Sequence, residues 1–190
     1  MTKGRLEAFT DGVIAIIITI MVLEMKVPHG TDAAALYESV PVFLAYVLSY
    51  INVGIFWNNH HHMMHATVHI DGRVLWANLF LLFWLSLIPF VIRWIDEAGL
   101  VALPVAAYGV VLSMAAVAYT LLQLAIVARN GRSSALAVAL GSDVKGKLSL
   151  AMYVASIPLA FVQPWISIAL YVFVALMWLV PDRRIELTVK

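Results

Sequence analysis

Five of the six histidines, His60, His61, His62, His65 and His69, crowd into one short stretch, and His61, His65 and His69 recur every four residues. On a helix that spacing stacks imidazoles along one face, which could hold a transition metal or titrate as a group. No carboxylate follows a histidine in a zinc-hydrolase pattern, and the chain has no cysteine. The reading is therefore a polar helix-end network or pH-sensitive cluster, with no metal; protonation there could couple activity to pH, and an activity unchanged between about pH 6 and 8 would remove the idea. Thiolate, disulfide and iron–sulfur chemistry are excluded with the cysteines. The second concentration of chemistry lies near the N-terminus, where Arg5, Glu7 and Asp11, then Thr19 and Glu24, interrupt an apolar run.

Composition says what must position these groups. Hydrophobic residues make up 63% of the chain and charged residues 12%, against roughly half and about a quarter in a soluble domain. Apolar stretches of about 20 residues, long enough to cross the hydrocarbon core, follow one another along nearly the whole length. The fold class is all-α: one polytopic membrane domain, 1–190, with six transmembrane helices at about 5–27, 40–64, 74–92, 100–127, 148–161 and 165–180. The segment from Arg132 to Gly146 is expected to be a mobile loop. Net charge is +1, which gives no reason to expect nucleic acid.

Basic residues favour the cytoplasmic side of short loops. With six crossings and a cytoplasmic N-terminus, Lys3, Arg5, Arg73, Arg129, Arg132, Lys145, Lys147, Arg183, Arg184 and Lys190 fall inside, against Lys26 and Arg93 outside. Both termini are then cytoplasmic and the chain is a multi-pass protein of the cell membrane. The first span carries basic residues ahead of an apolar core, as a signal peptide does, but Asp11 sits within it and no small-residue cleavage pattern follows. It is expected to stay attached.

Ionisable groups at membrane depth usually face protein or water. At about 100° per residue, Arg5, Phe9, Ile16, Ile20, Leu23 and Val27 share one narrow stripe of the first helix, whereas Glu7 and Asp11 point to the opposite side. An acidic back packs against partners within the protein, so the apolar front is left for a subunit partner, a pore or lipid. Such a stripe serves ordinary packing in many membrane helices; rings of branched side chains can also close a water-filled path by dewetting. Asp11 has a simpler role open to it, because a carboxylate near a helix N-terminus complements the helix dipole.

Arg5-Leu6-Glu7-Ala8-Phe9-Thr10-Asp11, followed by Gly12, Val13, Ala15 and Ile16, resembles the Arg-x-x-x-Phe-Ser-Asp signature that opens the first helix of the endosomal and lysosomal potassium channel family, transmembrane protein 175, and its prokaryotic relatives. Thr10 stands where that signature has serine. Phe56-Trp57-Asn58-Asn59-His60-His61 is similar to the second helix of the family, and the stretch from Asn78 to Phe90 to its third. The resemblance covers the first half of the chain. It implies a homotetramer of six-helix subunits whose first helices line a central pore, with Ile16 as the main constriction and Ile20 and Leu23 as further layers. Thr19 matches a position where a threonine ring favours potassium over sodium; on its own it could equally bond back to a carbonyl one turn earlier. The resemblance also implies a polar network in which Arg5 and Asp11 reach His60, His61 or Asn78 and fix the rotation of the pore helix.

Three classes of function follow. A potassium-selective cation channel with modest selectivity, potassium ions as the permeant species, the bilayer as surroundings and no cofactor is the favoured reading. A small secondary transporter or a proton-conducting membrane protein is the alternative; internal repeats and broken helices at the membrane midplane, expected of transporters, are not evident in the sequence. An enzyme is not expected, because only the histidine cluster offers material for a catalytic centre. Neither a Thr-Val-Gly-Tyr-Gly filter nor an arginine-rich voltage sensor is present, so selectivity would come from side chains in a narrow apolar passage.

Overall fold

The structure, a computed structural model, describes residues 2–25, 27–28, 30–131, 133–141 and 143–179. Lys26, Arg132, Arg183, Arg184 and Lys190, used in the orientation argument, lie outside the described residues, as does Val180 at the end of the sixth expected span. The described elements are all helices: α1 (Lys3–Leu23), α2 (Ala33–Glu38), α3 (Val40–His65), α4 (Gly72–Ser86), α5 (Ile88–Ala98), α6 (Ala102–Asn130), α7 (Ala135–Leu140), α8 (Val144–Val162) and α9 (Pro164–Leu179).

Among the described residues, five segments are long and apolar enough to cross a bilayer: α1, α3, α4 with α5 taken together (Gly72–Ala98), α6 and α8. Large apolar side chains cover the outside of the bundle, among them Trp76, Phe83, Phe161 and Val162. A soluble fold would hide these, whereas lipid accepts them. The sixth expected span is the shorter helix α9, 16 residues within the described chain. At 1.5 Å per residue that is about 24 Å, short of a core of about 30 Å.

Local sequence explains the element ends. Pro89 cannot donate a backbone hydrogen bond, so the third span breaks at Leu87, whose N–H bonds Trp84 three residues back, and resumes as α5. Asp71 caps α4 by accepting from the N–H groups of Arg73 and Val74. Gly131 ends α6 at φ 92°, where a side chain would be strained. α1 stops at Leu23 and does not run on to Val27, because Val27 precedes Pro28 and is steered away from helical geometry.

The connection after α6 departs from the expected mobile loop. Within it Ser134 caps α7, Leu136 and Ala139 of α7 are buried, and Asp143 caps α8. An apolar anchor and two caps give this stretch its own structure. α6 is the hub of the bundle, packed along both α4 and α8, while α1 lies against α3, α4 and α5. Gly109 of α6 leaves room for its neighbours: a Cβ there would collide with the Ser156 hydroxyl of α8 and the Tyr171 hydroxyl of α9, which donates to the Val105 carbonyl at 2.9 Å.

Candidate pore helix

Helix α1 buries one stripe of five residues, Leu6, Thr10, Ile14, Ile17 and Met21, at the three- and four-residue spacing that keeps side chains on one helical face. Four of the five are apolar and pack into the core of the bundle. Thr10 is 0% exposed and is the polar member.

A burial of that kind needs partners. The Asn78 Nδ2 donates to Thr10 Oγ1 at 2.9 Å, and Asn78 Oδ1 lies 2.9 Å from His60 Nε2. Because the carboxamide oxygen can only accept, the imidazole donates from Nε2, and the chain of bonds runs His60 to Asn78 to Thr10. All three side chains are buried, so α3, α4 and α1 are tied together where water cannot replace the bonds.

Asp11, one residue on, is exposed in the subunit and accepts from the Trp57 indole N–H at 2.8 Å. Among the described residues the hydrogen bond of Asp11 thus goes to Trp57, not to His60, His61 or Asn78, and it is Thr10 that reaches Asn78. A carboxylate beside an indole N–H finds a donor without leaving the helix surface, whereas Thr10, on the buried stripe, points at the asparagine. Arg5 and Phe9 are exposed and Glu7 is half-buried.

The histidines separate into two groups. His61 stacks on Trp57 at 6.0 Å and meets His65 edge-on at 4.5 Å. His69 is not on that face, since α3 ends at His65; its N–H donates to Asn130 Oδ1 at 2.8 Å and its carbonyl accepts from Asn130 Nδ2 at 2.9 Å. The four-residue repetition therefore outlasts the helix that would have aligned it. Among the described residues no group of three or more His, Cys, Asp or Glu side chains is placed to hold a metal ion.

The side of α1 away from the buried stripe is left uncovered by the subunit. Ile16 is 58% exposed, Ile20 40% and Leu23 79%. Thr19 is exposed as well, and its hydroxyl donates to the Ile16 carbonyl at 2.9 Å. Beside this face a groove of about 850 Å³ runs between α1 and α5, lined by Ile16, Ile20 and Glu24 on one wall and Phe90, Arg93 and Trp94 on the other. At its end Arg93 Nη1 reaches Glu24 Oε2 at 2.7 Å while Arg93 Nε holds Glu97 Oε1 at 3.2 Å. Trp57, and the bridge from Arg93 to Glu24, were not among the expected site residues; an arginine four residues before a glutamate was the available signal for the α5 half of the bridge.

Several apolar helices, a buried polar tie between α1, α3 and α4, and an apolar face of α1 that its own subunit leaves bare define a polytopic helical membrane protein. A family model described as endosomal/lysosomal potassium channel TMEM175 matches residues 5–89, the stretch that holds Thr10, Asp11, Trp57, His60 and Asn78. The chain is 52% identical over 190 residues to a potassium channel of Chryseobacterium sp. (strain P1-3), covering 100% of this chain and 99% of that one. It belongs to the TMEM175 family. Its fold matches the crystal structure of a lysosomal potassium-selective channel TMEM175 homologue from Chamaesiphon minutus with a TM-score of 0.79 at 25% identity, over 95% of this chain and 97% of that one. It is also 41% identical over 83 residues to the bovine endosomal/lysosomal proton channel TMEM175, covering 35% of this chain and 17% of that protein.

Proposed function

We propose that the protein is a potassium channel of the cell membrane: a homotetramer with six crossings per subunit, both termini cytoplasmic, and α1 of each subunit lining a central pore. Full-length similarity to a potassium channel supports the class of function. The observation that carries the pore is the uncovered face of α1, where Ile16, Thr19, Ile20 and Leu23 are all exposed in the single subunit. Four such faces around an axis make successive rings, with Ile16 as the constriction and Ile20 and Leu23 as further layers.

The buried tie from His60 through Asn78 to Thr10, with Asp11 on Trp57, sets the rotation of α1, and Arg5 and Phe9 extend the same motif toward the N-terminal end. Rotation is functional here because a turn of one residue would bring Ala15 and Thr19, or Ile17 and Met21, to the places of Ile16 and Ile20. A cation passing branched aliphatic rings sheds part of its water with no carbonyl cage in return. Potassium holds its water less tightly than sodium, so it passes more easily, with small conductance and modest selectivity. Beside that stripe the Thr19 hydroxyls, each donating to the Ile16 carbonyl at 2.9 Å, leave oxygen lone pairs for a passing cation. No cofactor is assigned, and the bilayer and the permeant ion are the partners.

Replacing Ile16 by asparagine wets the constriction. In planar bilayers Ile16→Asn is expected to carry severalfold more current and to shift the reversal potential under potassium/sodium bi-ionic conditions toward zero. If current and reversal potential both stay at the parent values, Ile16 is not the constriction. The name of the bovine relative motivates a second reading, proton conduction; a pH gradient at symmetrical potassium that leaves the reversal potential at zero removes it.

A further inference from the structure

We infer that Arg93 is a positioning residue for the pore helix: by bridging Glu24 to α5 it holds the C-terminal half of α1 and so sets how often the pore conducts. The inference rests on the reading of α1 as the pore-lining helix.

The geometry is that of a clamp. Glu97 lies one turn beyond Arg93 on α5 and takes its Nε, at 3.2 Å, which orients the guanidinium on its own helix. The Nη1 is then free to reach across to Glu24 at 2.7 Å. Arginine suits this because its donors sit in a planar fork, and one held edge pre-aims the other. Glu24 is the residue directly after Leu23, the last residue of α1, so the bond acts on the end of the helix that carries Ile20 and Leu23.

The groove explains why one bond at this place has leverage. Ile16 and Ile20 of α1 and Phe90 and Trp94 of α5 all line an opening of about 850 Å³. The C-terminal half of α1 keeps Ile17 and Met21 buried, a narrow stripe about which a helix can roll. The bridge at the end of the groove opposes that roll. Its groups are partly exposed, 54% for Arg93 and 28% for Glu24, which makes it a weak fastening that thermal motion can release.

Single-channel recording in planar bilayers tests this with Arg93→Gln, Glu24→Gln and a swap, Glu24→Arg with Arg93→Glu, in which Glu97→Gln prevents two carboxylates from facing each other. Both single variants are expected to change open probability in the same direction by about two- to fivefold, the range for a partly exposed ion pair, and the swap is expected to return it toward the parent. If Glu24 acted only by attracting cations, the neutral variants would change unitary conductance and the swap would lower it further; that result overturns the clamp. Unchanged open probability in both single variants overturns it too. A second readout needs no current. The chain has no cysteine, so spin labels on Val22→Cys and Ala98→Cys, in labelled subunits diluted with an excess of unlabelled ones to remove distances between subunits, report the α1–α5 distance, and Arg93→Gln is expected to broaden it. An unchanged distribution sinks the clamp even if the channel conducts, while a broadened one in a protein that passes no potassium sinks the pore reading and leaves the clamp standing.

Discussion

The two halves of α1 are held by different physics. The N-terminal half is tied by buried hydrogen bonds, His60 to Asn78 to Thr10, with Asp11 on Trp57 beside them. The C-terminal half borders an open groove and is fastened across it by a partly exposed ion pair. Buried neutral bonds resist exchange with water, and losing one partner leaves the other stranded. Exposed ion pairs are worth little and come and go. One helix therefore has a fixed end, which chooses the face it presents, and an adjustable end, which carries Ile20 and Leu23.

The sharpest way to break that contrast is Asn78→Leu, a change of side-chain chemistry at nearly constant size. It strands the His60 N–H and the Thr10 hydroxyl inside the bundle. The expected loss is about 2–4 kcal/mol from two unmet buried groups, toward the lower end because polar groups of a membrane protein find other partners when it unfolds in detergent. SDS titration followed by far-UV circular dichroism measures it. Glu24→Gln, tested in the same way, is expected to cost less than about 1 kcal/mol. Equal costs for the two variants would erase the distinction between the ends.

Much of this was legible before any coordinates, for reasons that differ from residue to residue. The spans show in the sequence because lipid demands long apolar runs, and Ile16, Ile20 and Leu23 share a stripe by helical periodicity; the acidic side expected to pack inside does not, since Asp11 is exposed and Glu7 half-buried, and the stripe that α1 buries is Leu6, Thr10, Ile14, Ile17 and Met21. Thr10 was harder. As a small hydroxyl within a motif it gives no sign of which side it faces, and only the burial of Leu6, Ile14 and Ile17 on the same stripe shows that it points inward. Trp57 went unseen because an indole in an apolar span counts as a hydrophobic residue while its one N–H does polar work. The alignment of His69 with His61 failed for a local reason: α3 ends at His65, and spacing carries no meaning past a helix end. Short helices such as α7 escape apolar-run counting, although their capping residues were in plain view. The bridge of Arg93 to Glu24 joins residues far apart in the chain, and nothing local announces such a pair.

A middle-sized effect separates the two bonds within the fixed end. Trp57→Phe removes the donor to Asp11 but keeps an aromatic ring against His61. The bond is to a carboxylate, which raises its worth, and it is exposed, which lowers it; about 1–2 kcal/mol is expected in the same SDS titration. The loss should shrink in an Asp11→Asn background, where the acceptor no longer carries a full charge. A cost that is the same in both backgrounds would mean that the ring, not the hydrogen bond, holds this part of α1.

Thr10→Ser is the finest probe, because it keeps the hydroxyl that Asn78 needs and deletes one buried methyl. Transfer of a group that size is worth about 0.8 kcal/mol at most, and serine at this site restores the wording of the family signature. If the N-terminal half is held by the hydrogen bond, Thr10→Ser should cost no more than that, with potassium current unchanged in a liposome flux assay. Thr10→Val, equal in shape but without the oxygen, is the paired control: it leaves the Asn78 N–H without its acceptor and is expected to cost clearly more, about 1–3 kcal/mol. The reverse order, serine worse than valine, would make Thr10 a packing residue. The rotation of α1 would then rest on the fit of its methyl against α4, and the contrast between a hydrogen-bonded end and an ion-paired end would reduce to a difference in how well each is packed.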